Sequence, residues 1–303
     1  MPLIVQALPI KQGKQFMASI QAHLINLVLK LTGRRKRFES LPAFQAELDR
    51  TRRADNLPRD PFPRVTLTGD PLAEGSVITL TPPKPGLLHI LYLHGGAWVF
   101  PPRGPHWDFL SRLCDETGAT ITMPLYPLGP GADHDTMMAM LEPLYGDLRR
   151  AFPKLAVMGD SAGAGLALSL LQAGMDAPDR LVLISPPVDL AMTNPALPAA
   201  AKRDPMLALP ALRQIGEWYR GARPLDDPRI SPLHMDMTLL PPTLAFMGTR
   251  DLLHPDMMLF LDRAGDAPLD YIEGRGMIHV WPLLNALPEA RAARARILSF
   301  LGS

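Results

Sequence analysis

Cysteine is almost absent from this chain: Cys114 is the one thiol in 303 residues. No intrachain disulfide can form, and a reducing, cytoplasmic setting is expected. One cysteine also excludes a cysteine-based zinc cluster. The eight histidines include no His-Glu-x-x-His helix motif, so no structural or catalytic zinc is expected. Net charge is nearly absent too, at +1, which gives no reason to expect nucleic acid as a partner. A secretory leader pattern is missing at the N-terminus, where no charged start precedes a short apolar run and a small-residue cleavage site. No segment repeats at a fixed period.

What is present argues for a folded domain. Hydrophobic residues make up 47% of the chain, enough for a sizeable core and too many for wholesale disorder. Prolines number 34, well above the usual ~5%, and many fall in connections. The charge is unevenly spread. Residues 1–64 hold 12 Lys+Arg against 5 Asp+Glu, a local +7, while the remainder holds 19 against 25, or −6. The densest basic run, Arg34-Arg35-Lys36-Arg37, has no interleaved aromatics and reads as a solvated segment after a helix.

That helix is expected over 15–32. Gln15, Ser19, His23, Asn26 and Lys30 make one polar stripe, opposed by Met17, Ile20, Leu24, Leu27 or Val28, and Leu31. The pattern is that of an amphipathic helix rather than a membrane span, and its apolar face is expected to pack on the domain rather than lie on a membrane. A second helical pattern covers about 41–53. Short strand signals follow at 64–68 and 76–80. Leu87–Leu93 is then a nearly continuous apolar run, as suits a strand buried on both faces.

From there strands and helices alternate. Strands are expected at 119–123, 155–158, 180–184, 243–247 and 269–272, and helices at 136–149, 162–174, about 256–264 and 288–301. Such alternation predicts an α/β fold with a mostly parallel central sheet flanked by helices on both faces. Residues 185–232, after the sixth strand, are too long for an ordinary connection. They are expected to form a helical insertion. The whole chain, 1–303, reads as one domain, with 1–55 and about 185–232 forming a cap.

Four motifs sit at strand ends in this scheme. Gly159-Asp160-Ser161-Ala162-Gly163 joins a strand to a small-residue helix. A serine on such a sharp turn is exposed and rigidly held, and its neighbours two residues away must be small. Leu93-His94-Gly95-Gly96-Ala97-Trp98, whose His94 lies 67 residues before Ser161, ends the most strand-like run. Small residues there expose backbone amides of the kind that stabilise an oxyanion. Two amides from Gly95, Gly96 and Ala97 are expected to act, joined by that of Ala162; which two stays open. Asp251 follows a strand, with Asp256 as the alternative acid, and His279 follows the last strand. A base must reach the serine and a carboxylate must orient the base, and the order Ser161, Asp251, His279 suits that chemistry.

These segments resemble the hormone-sensitive-lipase-like branch of the α/β-hydrolases, the bacterial family IV esterases. His94-Gly95-Gly96-Ala97-Trp98 is similar to that branch's His-Gly-Gly-Gly/Ala segment, and Gly159–Gly163 to its Gly-Asp-Ser-Ala-Gly elbow. Asp251, Gly276-Met277-x-His279 and Asp227–Leu233 match further segments. The resemblance runs from about Leu87 to the C-terminus. It implies an eight-stranded α/β-hydrolase sheet with a helical cap, no cofactor, and hydrolysis of short- to medium-chain carboxylic esters. Ser161 would be the nucleophile, His279 the base and Asp251 the acid, with Gly95, Gly96 and Ala162 in the oxyanion hole. His94 would be structural, His254 a bystander, and Asp160 a stabiliser of the turn.

The chain departs from the branch at Tyr126-Pro127-Leu128-Gly129-Pro130-Gly131, where an acidic residue is missing, and at Ala164, where a glycine is common. Trp98, Phe100, Met206, Trp218 and Met277 are the candidates for an apolar substrate pocket, with plain core as the alternative for each. A small-molecule ester is the expected partner, and a homodimer stays open. The competing readings are a non-catalytic ligand-binding protein on the same fold and a membrane-associated lipid hydrolase or acyltransferase.

Overall fold

The computed structural model describes residues 15–52 and 64–302; residues 1–14, 53–63 and 303 lie outside the described residues. Part of the expected cap piece 1–55 therefore falls outside them. Nine strands form one sheet: β1 (Gln15–Met17), β2 (Thr66–Thr68), β3 (Val77–Thr81), β4 (Leu88–Leu93), β5 (Thr120–Pro124), β6 (Lys154–Asp160), β7 (Arg180–Ile184), β8 (Thr243–Gly248) and β9 (Leu269–Arg275). Their order is β1-β9-β8-β7-β6-β4-β5-β3-β2. Only β3 runs against its neighbours, β2 and β5; the other pairs are parallel.

The helices are α1 (Ile20–Leu31), α2 (Lys36–Glu39), α3 (Leu41–Arg52), α4 (Gly104–Thr117), α5 (His134–Ala151), α6 (Ala162–Leu170), α7 (Leu197–Arg203), α8 (Leu209–Arg220), α9 (His254–Ala264) and α10 (Pro288–Gly302). They cover both sheet faces, and the central strands show why their sequences are apolar throughout. In β4, Leu91 and Leu93 enter one core with α5, α6 and α9. Ile90 and Tyr92 enter the other, with α4 and α10. In β6, Leu155 and Val157 divide from Ala156 and Met158 in the same way. Side chains alternate across a strand, so a strand buried on both faces has no polar side to show.

The N-terminal pattern resolves differently from the expected helix over 15–32. Gln15–Met17 instead form β1, which pairs parallel with β9 through Gln15–Glu273 and Met17–Arg275. Among the described residues the sheet thus has nine strands rather than eight. Ser19 then caps α1, its Oγ accepting from the amide of Ala22 at 3.3 Å.

The helix is also rotated from the expected orientation. Ile20, Leu24, Leu27, Val28 and Leu31 are 51–79% exposed, whereas Ala22 and Asn26 are buried. Polar contacts fix this rotation. Asn26 Nδ2 donates to the carbonyl of Gly276 at 3.3 Å, and Ser19 bonds the Glu289 carboxylate through both its amide and its hydroxyl. The small Ala22 lets the helix approach closely.

Helix α4 was not foreseen. Its signals are Pro105 in the first turn, the buried series Trp107, Leu110, Leu113 and Cys114, and Gly118 closing it in the left-handed region at φ 66°. The long 185–232 insertion carries α7 and α8. Helices α2 and α3 pack against α8, with Phe44 stacked on Trp218 at 6.0 Å and edge-on to Phe100 at 5.9 Å.

The rotation of α1 is directly testable by denaturant unfolding. Ala22→Leu is expected to overpack the interface and cost about 1–3 kcal/mol. Leu24→Ala, on the exposed face, should change stability by less than about 0.5 kcal/mol. The reverse ranking would mean that the apolar stripe is the buried face.

Candidate active site

Strand β6 ends at Asp160 and α6 begins at Ala162, so Ser161 occupies the turn between them. Its φ is 49°, a region that costs a β-carbon-bearing residue free energy and is held only where the surroundings dictate it. Two constraints do so. The Ser161 amide donates to the Ile184 carbonyl of β7 at 2.8 Å. The helix start also lies hard against the end of β4: a β-carbon on Gly163 would sit 1.9 Å from the Leu93 carbonyl oxygen, and one on Gly159 would sit 2.5 Å from the Gly163 backbone. Both glycines are therefore required by close approach.

The loops after β8 and β9 bring the other two motif residues to this serine. Arg250 and Met277 tie those loops together, amide to carbonyl at 2.9 Å. Asp251 is fully buried, and its Oδ2 lies 2.7 Å from Nδ1 of His279. Nε2 of His279 lies 2.8 Å from the Ser161 hydroxyl. A carboxylate only accepts, so Nδ1 carries the proton and Nε2 faces the serine with its lone pair. Burial alone would push the His279 pKa down. The charge and hydrogen bond of Asp251, with smaller contributions from Asp204 and Asp160, outweigh it and hold His279 above its ordinary value.

Asp160 has a larger structural role than a turn stabiliser. Its buried carboxylate accepts from the Tyr92 hydroxyl at 2.7 Å and the Gly95 amide at 2.9 Å, and it faces His106 Nε2 at 3.3 Å. This corrects the oxyanion assignment. The Gly95 amide is committed to Asp160 and is not available to a ligand. The amides of Gly96, Ala97 and Ala162 have no protein acceptor among the described residues. Gly96 and Ala97 share a pocket with Ser161 and His279.

His94 lies under the same turn. Its Nδ1 meets the Gly95 carbonyl at 2.7 Å, and its ring stacks on Tyr126, whose hydroxyl donates to the His94 carbonyl at 2.6 Å. Burial pushes its pKa down to about 4, so it stays neutral. The loop that departs from the family pattern therefore still braces this turn through Tyr126. His254 points instead to Glu273, at 3.3 Å. Asp256 accepts from Asn194 at 2.8 Å and has no contact with His279.

Of the five pocket candidates, Phe100 and Met206 line the space beside Ser161, and three do not. Trp98 stacks on Tyr219 at 3.8 Å, Trp218 stacks on Phe44, and Met277 packs in the second core. Large apolar side chains go wherever they bury most area, and here neighbouring helices offer more than the pocket does.

Two kinds of residue were missed. Asp204 is buried, with Oδ2 accepting from the Leu252 amide at 2.7 Å and Oδ1 from the amides of Met206 and Leu207 at 2.6 and 2.9 Å. It clamps the insertion to the Asp251 loop. Burial, then the charge of Asp251, raises its pKa to about 6. The other is the basic run expected to be solvated: Arg34 lines the pocket, as does Arg103. Among the described residues, no three His, Cys, Asp or Glu side chains are placed to share a metal ion.

Comparison with known proteins gives the family. A family model described as alpha/beta hydrolase fold matches residues 90–283. The chain is 34% identical to an acetyl-hydrolase of Streptomyces hygroscopicus over 214 residues, covering 67% of this chain and 72% of that protein. It is 30% identical to a triacylglycerol lipase of Mycobacterium tuberculosis over 218 residues; that match covers 69% of this chain but spans only 45% of the lipase. A solved hormone-sensitive lipase from a metagenome library shares the fold with a TM-score of 0.78 at 24% identity, covering 94% of this chain and 99% of that one. The chain belongs to the α/β-hydrolase family, in its esterase and lipase group.

Proposed function

We propose that this protein is a serine carboxylesterase that hydrolyses short- to medium-chain carboxylic esters through an acyl-enzyme on Ser161. The observation that carries this reading is the chain of two short hydrogen bonds, Ser161 to His279 to Asp251, at 2.8 and 2.7 Å. His279 Nε2 takes the hydroxyl proton as Ser161 Oγ attacks the ester carbonyl. The resulting oxyanion is held by amides from Gly96, Ala97 and Ala162, each worth ~3 kcal/mol of barrier in comparable sites. His279 returns the proton to the leaving alcohol, then activates the water that frees the acyl group. Asp251 keeps the imidazole in the required tautomer and stabilises its charged form.

Helices α2 and α3, with the insertion bearing α7 and α8, would act as the cap over this pocket, with Phe38, Phe100 and Met206 as its apolar walls. Cys114 is buried and its thiol is pushed up to about 12, which suits an unreactive residue; the reducing, cytoplasmic setting expected from the single cysteine remains part of this reading.

One observation favours a second reading, a hydrolase that works at a lipid surface. Helix α1 turns its apolar face outward, flanked by the exposed Lys30 and Lys36. No helix among the described residues is long and apolar enough to cross a membrane, so such contact would be interfacial.

Three experiments test these readings. A fluorophosphonate probe followed by peptide mapping is expected to label Ser161. Ser161→Ala should abolish turnover, and Asp251→Asn should lower kcat about 10³–10⁴-fold. Asp256→Asn should retain activity. Labelling elsewhere, or loss in Asp256→Asn instead, would overturn the assignments.

The acid limb of kcat/KM should lie above the ordinary histidine value of about 6.5, because His279 must be neutral to act and its pKa is raised. Asp204→Asn removes one of the charges that raise it, so the limb should move to lower pH. An unmoved limb in Asp204→Asn would exclude that electrostatic role.

Finally, the leading reading expects the protein to stay in solution when centrifuged with anionic phosphatidylserine vesicles at low salt. Cosedimentation that Leu24→Glu with Leu27→Glu removes would establish the lipid-surface reading.

A further inference from the structure

Four arginines surround a single carboxylate at the mouth of the pocket. Glu47 of α3 is buried. Arg50 grips it with Nε and Nη2 at 2.8–3.0 Å, and Arg37 Nη1 adds a contact at 3.1 Å. Its accepting capacity is thereby largely taken. Arg34, in the connection between α1 and α2, and Arg103, just before α4, line the same pocket as Ser161 and His279. Arg103 donates to the Thr51 hydroxyl at 3.2 Å and lies over the Phe100 ring at 5.1 Å. Neither arginine has a salt bridge to a carboxylate among the described residues.

The other carboxylate lining the pocket offers them little. Asp160 already accepts from Tyr92 and Gly95 and faces His106. Arg34 and Arg103 line the pocket beside Glu47 and Asp160; with Arg37 and Arg50 taking up Glu47 and with Asp160 engaged elsewhere, four guanidiniums share two carboxylates and neither carboxylate is bonded to Arg34 or Arg103. Burial and neighbouring cations act against the charge on these arginines. Burial lowers the Arg34 pKa despite Glu47. Burial and then the charge of Arg34 pull Arg103 down to about 10. A guanidinium keeps its charge at neutral pH. Partly buried guanidiniums crowded together with fewer anions than cations are costly, and a bound anion lowers that cost. Arginine is also the side chain whose planar fork matches a carboxylate or phosphate.

We propose that Arg34 and Arg103 form an anion subsite within the ester pocket, so that the preferred substrate is an ester carrying a carboxylate or phosphate group on one side of the scissile bond. This rests on the ester-hydrolase reading and specifies its substrate class. Neutral esters would fill the pocket through Phe38, Phe100 and Met206 alone. Anionic ones would gain charge-assisted hydrogen bonds as well.

The test uses matched ester pairs with the full chain. For charge on the acyl side, 4-nitrophenyl hydrogen glutarate is compared with 4-nitrophenyl valerate. For charge on the alcohol side, acetyl glycerol 3-phosphate is compared with glycerol monoacetate, and methyl acetoxyacetate with acetoxyacetate separates carboxylate from phosphate. One anionic member should exceed its neutral counterpart in kcat/KM by about ten-fold or more, the size expected of one charge-assisted hydrogen bond. Added salt should shrink that ratio. Arg34→Gln and Arg103→Gln should bring it toward one, while Arg103→Lys keeps more of it than Arg103→Gln.

Neutral esters turned over as well as or better than all anionic partners would overturn the subsite while leaving ester hydrolysis intact. If no ester of either kind is hydrolysed, the ester-hydrolase reading fails, and thermal unfolding decides the subsite separately. Glutarate or glycerol 3-phosphate should raise the Tm of the wild-type chain and not of the Arg34→Gln, Arg103→Gln double variant. No shift in the wild type refutes anion binding. If the glutamine variants do not fold, the wild-type ratio, its salt dependence and Arg103→Lys still decide.

Discussion

The buried carboxylate of Asp160 is the constraint on which the rest of the site depends. It stands at the last position of β6, and its partners come from three other places: Tyr92 in β4, Gly95 in the turn after β4, and His106 in α4. Burial alone would push this carboxyl up. The facing His106 and the donated hydrogen bonds more than offset it and hold its pKa below the usual value. An ionised group with its donors in place is strongly bound to its geometry, because losing one donor leaves a buried charge short of a partner. The turn after β4 and the turn after β6 are thereby fixed to each other. Once they are fixed, the spacing between the free amides of Gly96 and Ala97 and the Ser161 hydroxyl is set by backbone rather than by flexible side chains. That is the preorganisation a developing oxyanion requires.

A second carboxylate repeats the same logic on the other side of the serine. Asp204 binds amides on both sides of a gap in sequence, Met206 and Leu207 in the insertion and Leu252 beside Asp251. The loop bearing Asp251 is thus attached to the helical insertion as well as to the sheet. His279 then sits in a field set by Asp251, Asp204 and Asp160, three carboxylates of which only Asp251 touches it. The arrangement favours the protonated imidazole, while each outer carboxylate is stabilised by its own hydrogen bonds.

Much of this was legible in the sequence, and the reasons differ by feature. The elbow was readable because its demand is local: small residues two positions either side of Ser161, between an apolar strand and a small-residue helix. The sheet was readable because strands buried on both faces have unmistakable composition. The nine-strand count was not, since three residues, Gln15–Met17, carry too short a signal to separate a strand from the helix pattern that follows. The rotation of α1 was misread because periodicity reports which side is apolar, and that equals the buried side only when no polar contact overrides it. Here Asn26 and Ser19 do. Gly95 was assigned to the oxyanion hole because a glycine in that segment looks like a free amide. Its commitment to Asp160, 65 residues away, is a tertiary fact. The same holds for Trp98 and Trp218, whose stacking partners Tyr219 and Phe44 decide their place.

The basic run shows how a bland local reading fails when charge meets topology. Four consecutive cations after a helix are usually solvated, and a single helical turn, α2, changes that. It returns Arg37 to Glu47 on α3 while leaving Arg34 at the inner edge of the connection, beside the pocket. Arg103 arrives from a different layer, at the entrance to α4. Neither the run nor Arg103 predicts the other, because their meeting depends on α2 and α3 packing over the turn at Gly96–Phe100 through Phe38, Phe44 and Phe100. An aromatic contact thus controls an electrostatic one. The apolar cluster draws the N-terminal helices onto the site, and burial of that cluster offsets the cost of holding like charges close together. The packing of α2 and α3 over that turn thus places cationic and apolar groups side by side on one pocket wall.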